Sequence, residues 1–369
     1  MLRWFAALPR AAHRMRFFFV LGAAGIFLTA CGHKAPTMVE ETQILLGTVS
    51  HLKIRAADHA AAEEALRTGQ KQLMQVQQDA EGEELRALEA AAGTGAWTRI
   101  SPALYETLGY AQEIARRTDG AFDVTAGALT ALWDAARREK TPPTDEMVQE
   151  ARTHVGYAHL EMRKTEDGAE IVYEARLMKA GMRIDRGALI KGAALDVIHP
   201  LWQRADTLGA LADLGTSSIL AMGTNEEGEP WQIGIRNPRG AERSDILMVL
   251  PLTDEVLSVS GDDEHYFLYE GKRYHHLIDP RTGYPAQTGL ASVTVVLPMD
   301  VDEGAWQGHM PLAAGEGMPP AWQGHMGMLS DMLSTAVFVL GPDAGRALLA
   351  EFPSALVILI GTDGTMIGE

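Results

Sequence analysis

Gly271-Lys272-Arg273-Tyr274-His275-His276-Leu277-Ile278-Asp279-Pro280-Arg281-Thr282-Gly283-Tyr284-Pro285 brings two adjacent histidines, an acid and a run of turn residues into one short stretch. Histidine is the side chain best suited to take a proton near neutral pH. The Asp-Pro-Arg-Thr-Gly turn would hold it rigidly. A plain strand entering a tight turn accounts for the same residues. Further strand candidates surround it at Ile171-Val172-Tyr173, Trp231 to Ile235, Asp245 to Leu252 and Leu290 to Leu297, where β-branched residues cluster. Ile44 to Ile54 alternates enough for a first strand. Helical spacing runs through Ala56 to Gln78, Pro102 to Thr118, Gly187 to Trp202 and Leu329 to Leu340. This order predicts an α+β fold, a single compact bilobal domain whose mixed, largely antiparallel sheet is flanked by helices.

Three more constellations carry possible chemistry. In Asp331-Met332-Leu333-Ser334-Thr335 the acid and the hydroxyl stand four apart and so share one helix face. Two hard oxygens side by side suit Mg²⁺, which takes few protein ligands and completes its shell with water and phosphate; a helix cap would use the same pair. Arg183-Ile184-Asp185-Arg186-Gly187-Ala188-Leu189-Ile190-Lys191-Gly192 reads as a strand end passing through glycine into a helix. A helix start offers free N–H groups to an anion and Lys191 adds a charge, although the P-loop spacing is absent. Gly120-Ala121-Phe122-Asp123-Val124-Thr125 puts an acid and a hydroxyl just past a helix end, in a binding loop or a capped turn.

The N-terminus speaks to location. Arg14 and Arg16 precede an apolar run from Phe17 to Leu28, of signal-peptide length, which ends in Leu28-Thr29-Ala30-Cys31. Cys31 is the only cysteine and follows small residues, as at a lipobox, so the sequence divides into a lipoprotein signal at 1–30, a tether at 31–41 and a catalytic domain at 42–369. Loss of residues 1–30 takes four arginines and no acid, so the formal charge of −17 becomes −21. That acidity argues against nucleic acid as partner, because phosphate contacts need clustered Lys and Arg. One segment resists assignment: Ala305-Trp306-Gln307-Gly308-His309-Met310 recurs as Ala321-Trp322-Gln323-Gly324-His325-Met326, inside an expected insertion at about 302–328. It reads as a duplicated surface loop, or as a soft-metal site built from two His-Met pairs.

Taken together and in order, these segments resemble the FAD:protein FMN transferases, the ApbE-like flavin transferase family, from Thr42 to the C-terminus. The resemblance rests on Leu46-Gly47-Thr48, Asp119 to Asp123 with Leu132-Trp133, Ile184-Asp185 through Lys191-Gly192, Leu214-Gly215, Ser260-Gly261, His276 to Gly283, and Asp331 to Thr335. It implies transfer of FMN from FAD to a Thr or Ser hydroxyl of an acceptor flavoprotein, with release of AMP. It also implies FAD contacts at Leu46, Ala121, Phe122, Asp123, Asp185, Lys191 and Leu277, and Mg²⁺ held by Asp331, Thr335 and a carbonyl around Ala188. His276 matches the base that activates the acceptor hydroxyl. The family further suggests acceptors in membrane redox complexes of the sodium-pumping and Rnf type, and a lipid-anchored protein on the periplasmic face. An FAD pyrophosphatase using water as acceptor would carry nearly the same residues, and a non-catalytic flavin- or metal-binding lipoprotein would keep the repeat.

Overall fold

Strands buried on both faces lose the polar alternation of a half-exposed sheet and become continuous apolar runs. β15 (Leu290–Pro298) is such a run, buried over nearly its whole length. The computed structural model describes residues 36–368, apart from 81, 169, 188–189, 206, 243 and 301–323. Cys31, Ala188 and the first copy of the repeat lie outside the described residues, as do Ala321, Trp322 and Gln323 of the second.

The central sheet has seven strands: β1 (Thr37–Leu45), β2 (Thr48–Ala56), β6 (Gly209–Leu214), β7 (Ser218–Gly223), β10 (Glu255–Gly261), β15 and β16 (Leu356–Gly361), in that spatial order. Every pair in it is antiparallel. On one face lie α1 (His59–Ala80), α6 (Ile190–Arg204) and α7 (Met326–Leu340), packed on Leu220, Val256, Val293 and Val295. On the other, the hairpin of β8 (Trp231–Arg236) and β9 (Ile246–Leu252) covers Ile219, Leu257, Val296 and Ile358. Side chains of alternate parity along β7 therefore enter different cores, which explains why both parities are apolar.

Smaller units surround this stack. α2 (Glu83–Ala90) and α3 (Pro102–Arg117) lie near a three-stranded sheet of β3 (Thr98–Ile100), β5 (Glu170–Leu177) and β4 (Leu160–Asp167). A separate core of Leu129, Trp133, Val148, Phe267 and Ile278 joins α4 (Gly127–Glu139) and α5 (Asp145–Thr153) to the hairpins β11 (Tyr266–Tyr269) with β12 (Lys272–His275) and β13 (Ile278–Asp279) with β14 (Tyr284–Pro285). α8 (Pro342–Leu349) leads to β16.

Four expectations need correction. Ile44 to Ile54 is not one strand but parts of two, because Leu46 and Gly47 both take positive φ, 52° and 72°, and form the two-residue turn between β1 and β2. The tether expected to run to residue 41 ends earlier, since Thr37 already pairs with Ala56. The approach to α6 is not a strand: Arg183 makes only a single parallel bridge, to Ala126. The insertion cannot extend to 328, because Met326 and Met328 are 1% exposed in the main core and belong to α7. His325 likewise packs its ring on Tyr110 at 4.6 Å, so the second copy of the repeat ends in packing rather than in a free His-Met pair.

Candidate active site

α6 and α7 cross where each has a glycine. A Cβ on Gly327 would lie 2.5 Å from Gly192 O, so only hydrogen allows this approach. The crossing puts Asp331, in the second turn of α7, against the start of α6, where Gly192 N–H donates to Asp331 Oδ2 at 2.7 Å. Ser218 Oγ, on β7, donates to Oδ1 at 3.0 Å. Thr335 stands one turn further on, its hydroxyl 3.1 Å from Ser260 Oγ, and Ser260 also meets Ser334 at 2.9 Å. α7 has no cap of its own at His325. Asp196 of α6 supplies it, taking Gly327 N–H at 2.6 Å and Met328 N–H at 2.9 Å.

Lys191 joins the parts of this centre. Its ammonium donates to Ser217 Oγ at 2.8 Å, and its charge acts on both Asp331 and His276. Burial lowers the Lys191 pKa, against the upward pull of Asp331, Asp213 and Glu264. Burial raises that of Asp331, against Ser218, Lys191 and the Gly192 N–H. A half-buried carboxylate and a hydroxyl on one helix face, with serine hydroxyls beside them, fit a hard divalent cation. Among the described residues no group of three or more His, Cys, Asp or Glu is placed to hold a metal ion, so a cation here would draw the rest of its shell from water and phosphate.

The adjacent histidines have different tasks. His275 Nδ1 accepts Leu277 N–H at 3.3 Å, which leaves Nε2–H to donate to Ala286 O at 2.9 Å. Its ring packs on Phe338 of α7 at 5.4 Å, so it is a buried brace between the histidine hairpin and the Asp331 helix. His276 has a buried Nδ1 with no hydrogen-bond partner among the described residues. Burial, then His265, His275, Arg137 and Lys191, push its pKa down to about 3, so the ring is neutral. The turn behind it is held by Asp279, which accepts from Arg281 N–H and twice from its guanidinium, each at 2.9 Å.

The remaining expected contacts are held mainly by local hydrogen bonds and core packing. Asp185 N–H donates to Val124 O at 2.7 Å, while its carboxylate accepts from Thr130 Oγ1 at 2.8 Å and Gly187 N–H at 3.0 Å. Asp123 turns inward: Thr125 N–H and Oγ1 donate to Oδ1 at 2.8 and 2.7 Å, and Tyr157 N–H to Oδ2 at 2.8 Å. Burial nevertheless raises its pKa. The side chains of Ala121, Phe122 and Leu277 belong to the main core, and both N–H groups of Ala121 and Phe122 go to Thr118. Leu46 is held in its turn by Gln77 Oε1, which accepts its N–H at 2.8 Å. Sequence reasoning missed Ser217, Ser218, Asp196, His265 and Arg137. Only the paired serines gave a signal, standing just after the Leu214-Gly215 motif.

The scaffold is antiparallel α+β, with Asp331, Thr335 and Lys191 at the α6–α7 crossing and His276 at the turn after β12. The ApbE family model matches residues 46–310. A relative from Treponema pallidum (strain Nichols) named FAD:protein FMN transferase is 30% identical over 349 residues, covering 90% of this chain and 88% of its own. One of the same name from Haemophilus influenzae is 30% identical over 268 residues, or 72% of this chain and 68% of its own. The crystal structure of the ApbE protein from Thermotoga maritima superposes with a TM-score of 0.71 at 25% identity, over 90% of this chain and 96% of that one. The flavin transferase ApbE from Vibrio cholerae gives 0.68 at 23% identity, over 90% and 96%. The chain belongs to the ApbE family.

Proposed function

We propose that this chain is an enzyme that transfers FMN from FAD to a Thr or Ser hydroxyl of an acceptor flavoprotein and releases AMP. The observation that carries the reading is the α6–α7 crossing, where Gly192 N–H donates to Asp331 Oδ2 at 2.7 Å directly after Lys191, whose ammonium donates to Ser217 Oγ at 2.8 Å. Cleaving a diphosphate requires charge neutralisation and a base for the incoming oxygen. Lys191 supplies fixed positive charge. Asp331 and Thr335 would hold Mg²⁺, with a main-chain carbonyl near Ala188; bound there, Mg²⁺ neutralises charge on the phosphates. Asp185 and Lys191 face the nucleotide, together with the main chain at Leu46, Ala121, Phe122 and Leu277, and Asp123 shapes that loop. His276, neutral and unpartnered at Nδ1, receives the proton of the acceptor hydroxyl. The acceptors are flavin-carrying subunits of membrane redox complexes of the sodium-pumping or Rnf type, met on the periplasmic face by a chain lipid-anchored at Cys31.

The test is covalent labelling. Incubated with FAD, MgCl₂ and the flavin-carrying domain of a sodium-pumping redox subunit, the protein should leave a flavin-fluorescent acceptor band in a denaturing gel. Asp331→Ala should slow labelling at least about a hundredfold, the scale of losing a centre of charge stabilisation, and His276→Ala should also remove most of it. AMP and free FMN with an unlabelled acceptor would replace transfer by FAD hydrolysis.

A further inference from the structure

Beside His276, between α4 and the β11–β12 hairpin, lies a small cleft lined in part by Trp133 and Tyr274, stacked at 5.7 Å and 19°. Two of its lining side chains carry a buried polar atom with no hydrogen bond among the described residues: His276 at Nδ1 and Arg137 at Nε. The Arg137 guanidinium is oriented by Asp134, one turn earlier on α4, which accepts from one terminal nitrogen at 3.2 Å. That contact leaves Nε–H free. Native structures seldom leave such atoms unsatisfied, because the desolvation is costly. The two unused atoms are of different kinds, since guanidinium only donates while a neutral imidazole nitrogen can accept. A hydroxyl group placed within reach of both would satisfy the two at once.

We propose that Arg137 is the second half of the acceptor-hydroxyl site: its Nε–H donates to the acceptor oxygen while His276 Nδ1 takes that oxygen's proton. This rests on the transferase reading above. In the step, the O–H proton passes to Nδ1, and the oxygen forms a bond to the phosphorus that carries FMN. The P–O bond to the adenylate breaks, and its electron pair leaves on AMP. The guanidinium has a definite task, because an imidazole as weakly basic as His276 needs an acidified partner, and a cation at the hydroxyl oxygen favours the alkoxide as it forms. The groups that act on His276 are His265 and His275 at the two ends of the β11–β12 hairpin, Arg137 from α4 and Lys191 from α6. Arg137 is itself paired with Asp134.

The experiment compares Arg137→Gln and Arg137→Lys with wild type, using the redox-subunit domain as acceptor. Arg137→Gln should lower the transfer rate about a hundredfold, the usual loss for one transition-state donor, while FAD affinity by fluorescence titration stays within about twofold of wild type. Because a nearby cation disfavours imidazolium, its removal raises the His276 pKa, and the acid limb of the pH–rate profile moves to higher pH. Arg137→Lys keeps the charge, so its acid limb should stay near wild type with a loss of about tenfold. Wild-type transfer in either folded variant would overturn the proposal, and so would loss of FAD binding, which would place Arg137 in the flavin site. If Arg137→Gln does not fold, Arg137→Lys decides by the same readings. Absence of transfer by wild type itself would remove the transferase reading, and this site with it.

Discussion

At the scale of single residues, the centre is supported by a strained turn. Thr216 has φ of +61°, follows Gly215 at +77°, and precedes Ser217, the partner of Lys191. A β-branched residue is rarely found there, and the left-handed conformation costs an L-residue about 1–2 kcal/mol. What keeps Thr216 in place is its main chain, whose N–H donates to Asp213 Oδ1 at 2.6 Å. Its side chain is exposed. Thr216→Gly should therefore retain the hydrogen bond and relieve the strain, less the roughly 0.5–1 kcal/mol that glycine costs through the entropy of the unfolded chain. The expected result in urea unfolding is a net gain of up to about 1 kcal/mol at unchanged m-value. A loss of stability would mean that the hydroxyl or methyl makes a contribution that the turn geometry does not reveal.

At the scale of elements, the α6–α7 crossing decides whether a site exists. A Cβ on Gly327 would sit 2.5 Å from Gly192 O and 2.9 Å from Asp196 Oδ1, so Gly327→Ala must push the helices apart or disturb the Asp196 cap. Overpacking of this kind costs about 1–3 kcal/mol. The same displacement draws Gly192 N–H away from Asp331. Gly327→Ala is thus expected to lose about 2 kcal/mol in denaturant unfolding and to lose flavin transfer with it; unaltered unfolding would show that the crossing tolerates a methyl. The elements also show why some features were legible in the sequence. α3 declares itself through Ser101, whose hydroxyl accepts Leu104 N–H at 3.3 Å, and through Pro102 in the first turn. Asp331 and Thr335 could be paired from helical spacing alone. The turn at Leu46-Gly47 was hidden, because leucine seldom accepts positive φ and the residues around it alternate as one strand would. The cap of α7 was equally hidden, since Asp196 lies 131 residues before the N–H that it binds. Arg137 carried no signal in the sequence, and only the fold brings it into the lining of the His276 cleft.

At the scale of the whole molecule, charge limits how this chain can stay at a membrane. The proposed mature form carries −21, because the signal segment removes four arginines and no acid. A membrane surface of anionic lipid repels such a molecule, and the short-range attraction that holds polybasic proteins there is missing. Among the described residues no helix is long and apolar enough to cross a bilayer. If the proposed lipidation occurs, hydrocarbon at Cys31 would supply the attachment, and because one acyl chain binds only marginally, stable anchoring would require more than one. The two forces respond oppositely to salt: added electrolyte screens charge attraction within a Debye length but leaves hydrocarbon burial intact. Wild type should stay in the membrane fraction at both low and high ionic strength, whereas Cys31→Ala should be soluble in both and still transfer flavin to a soluble acceptor domain. Retention of Cys31→Ala at low salt with release at high salt would assign the attachment to a charged protein partner instead of a lipid.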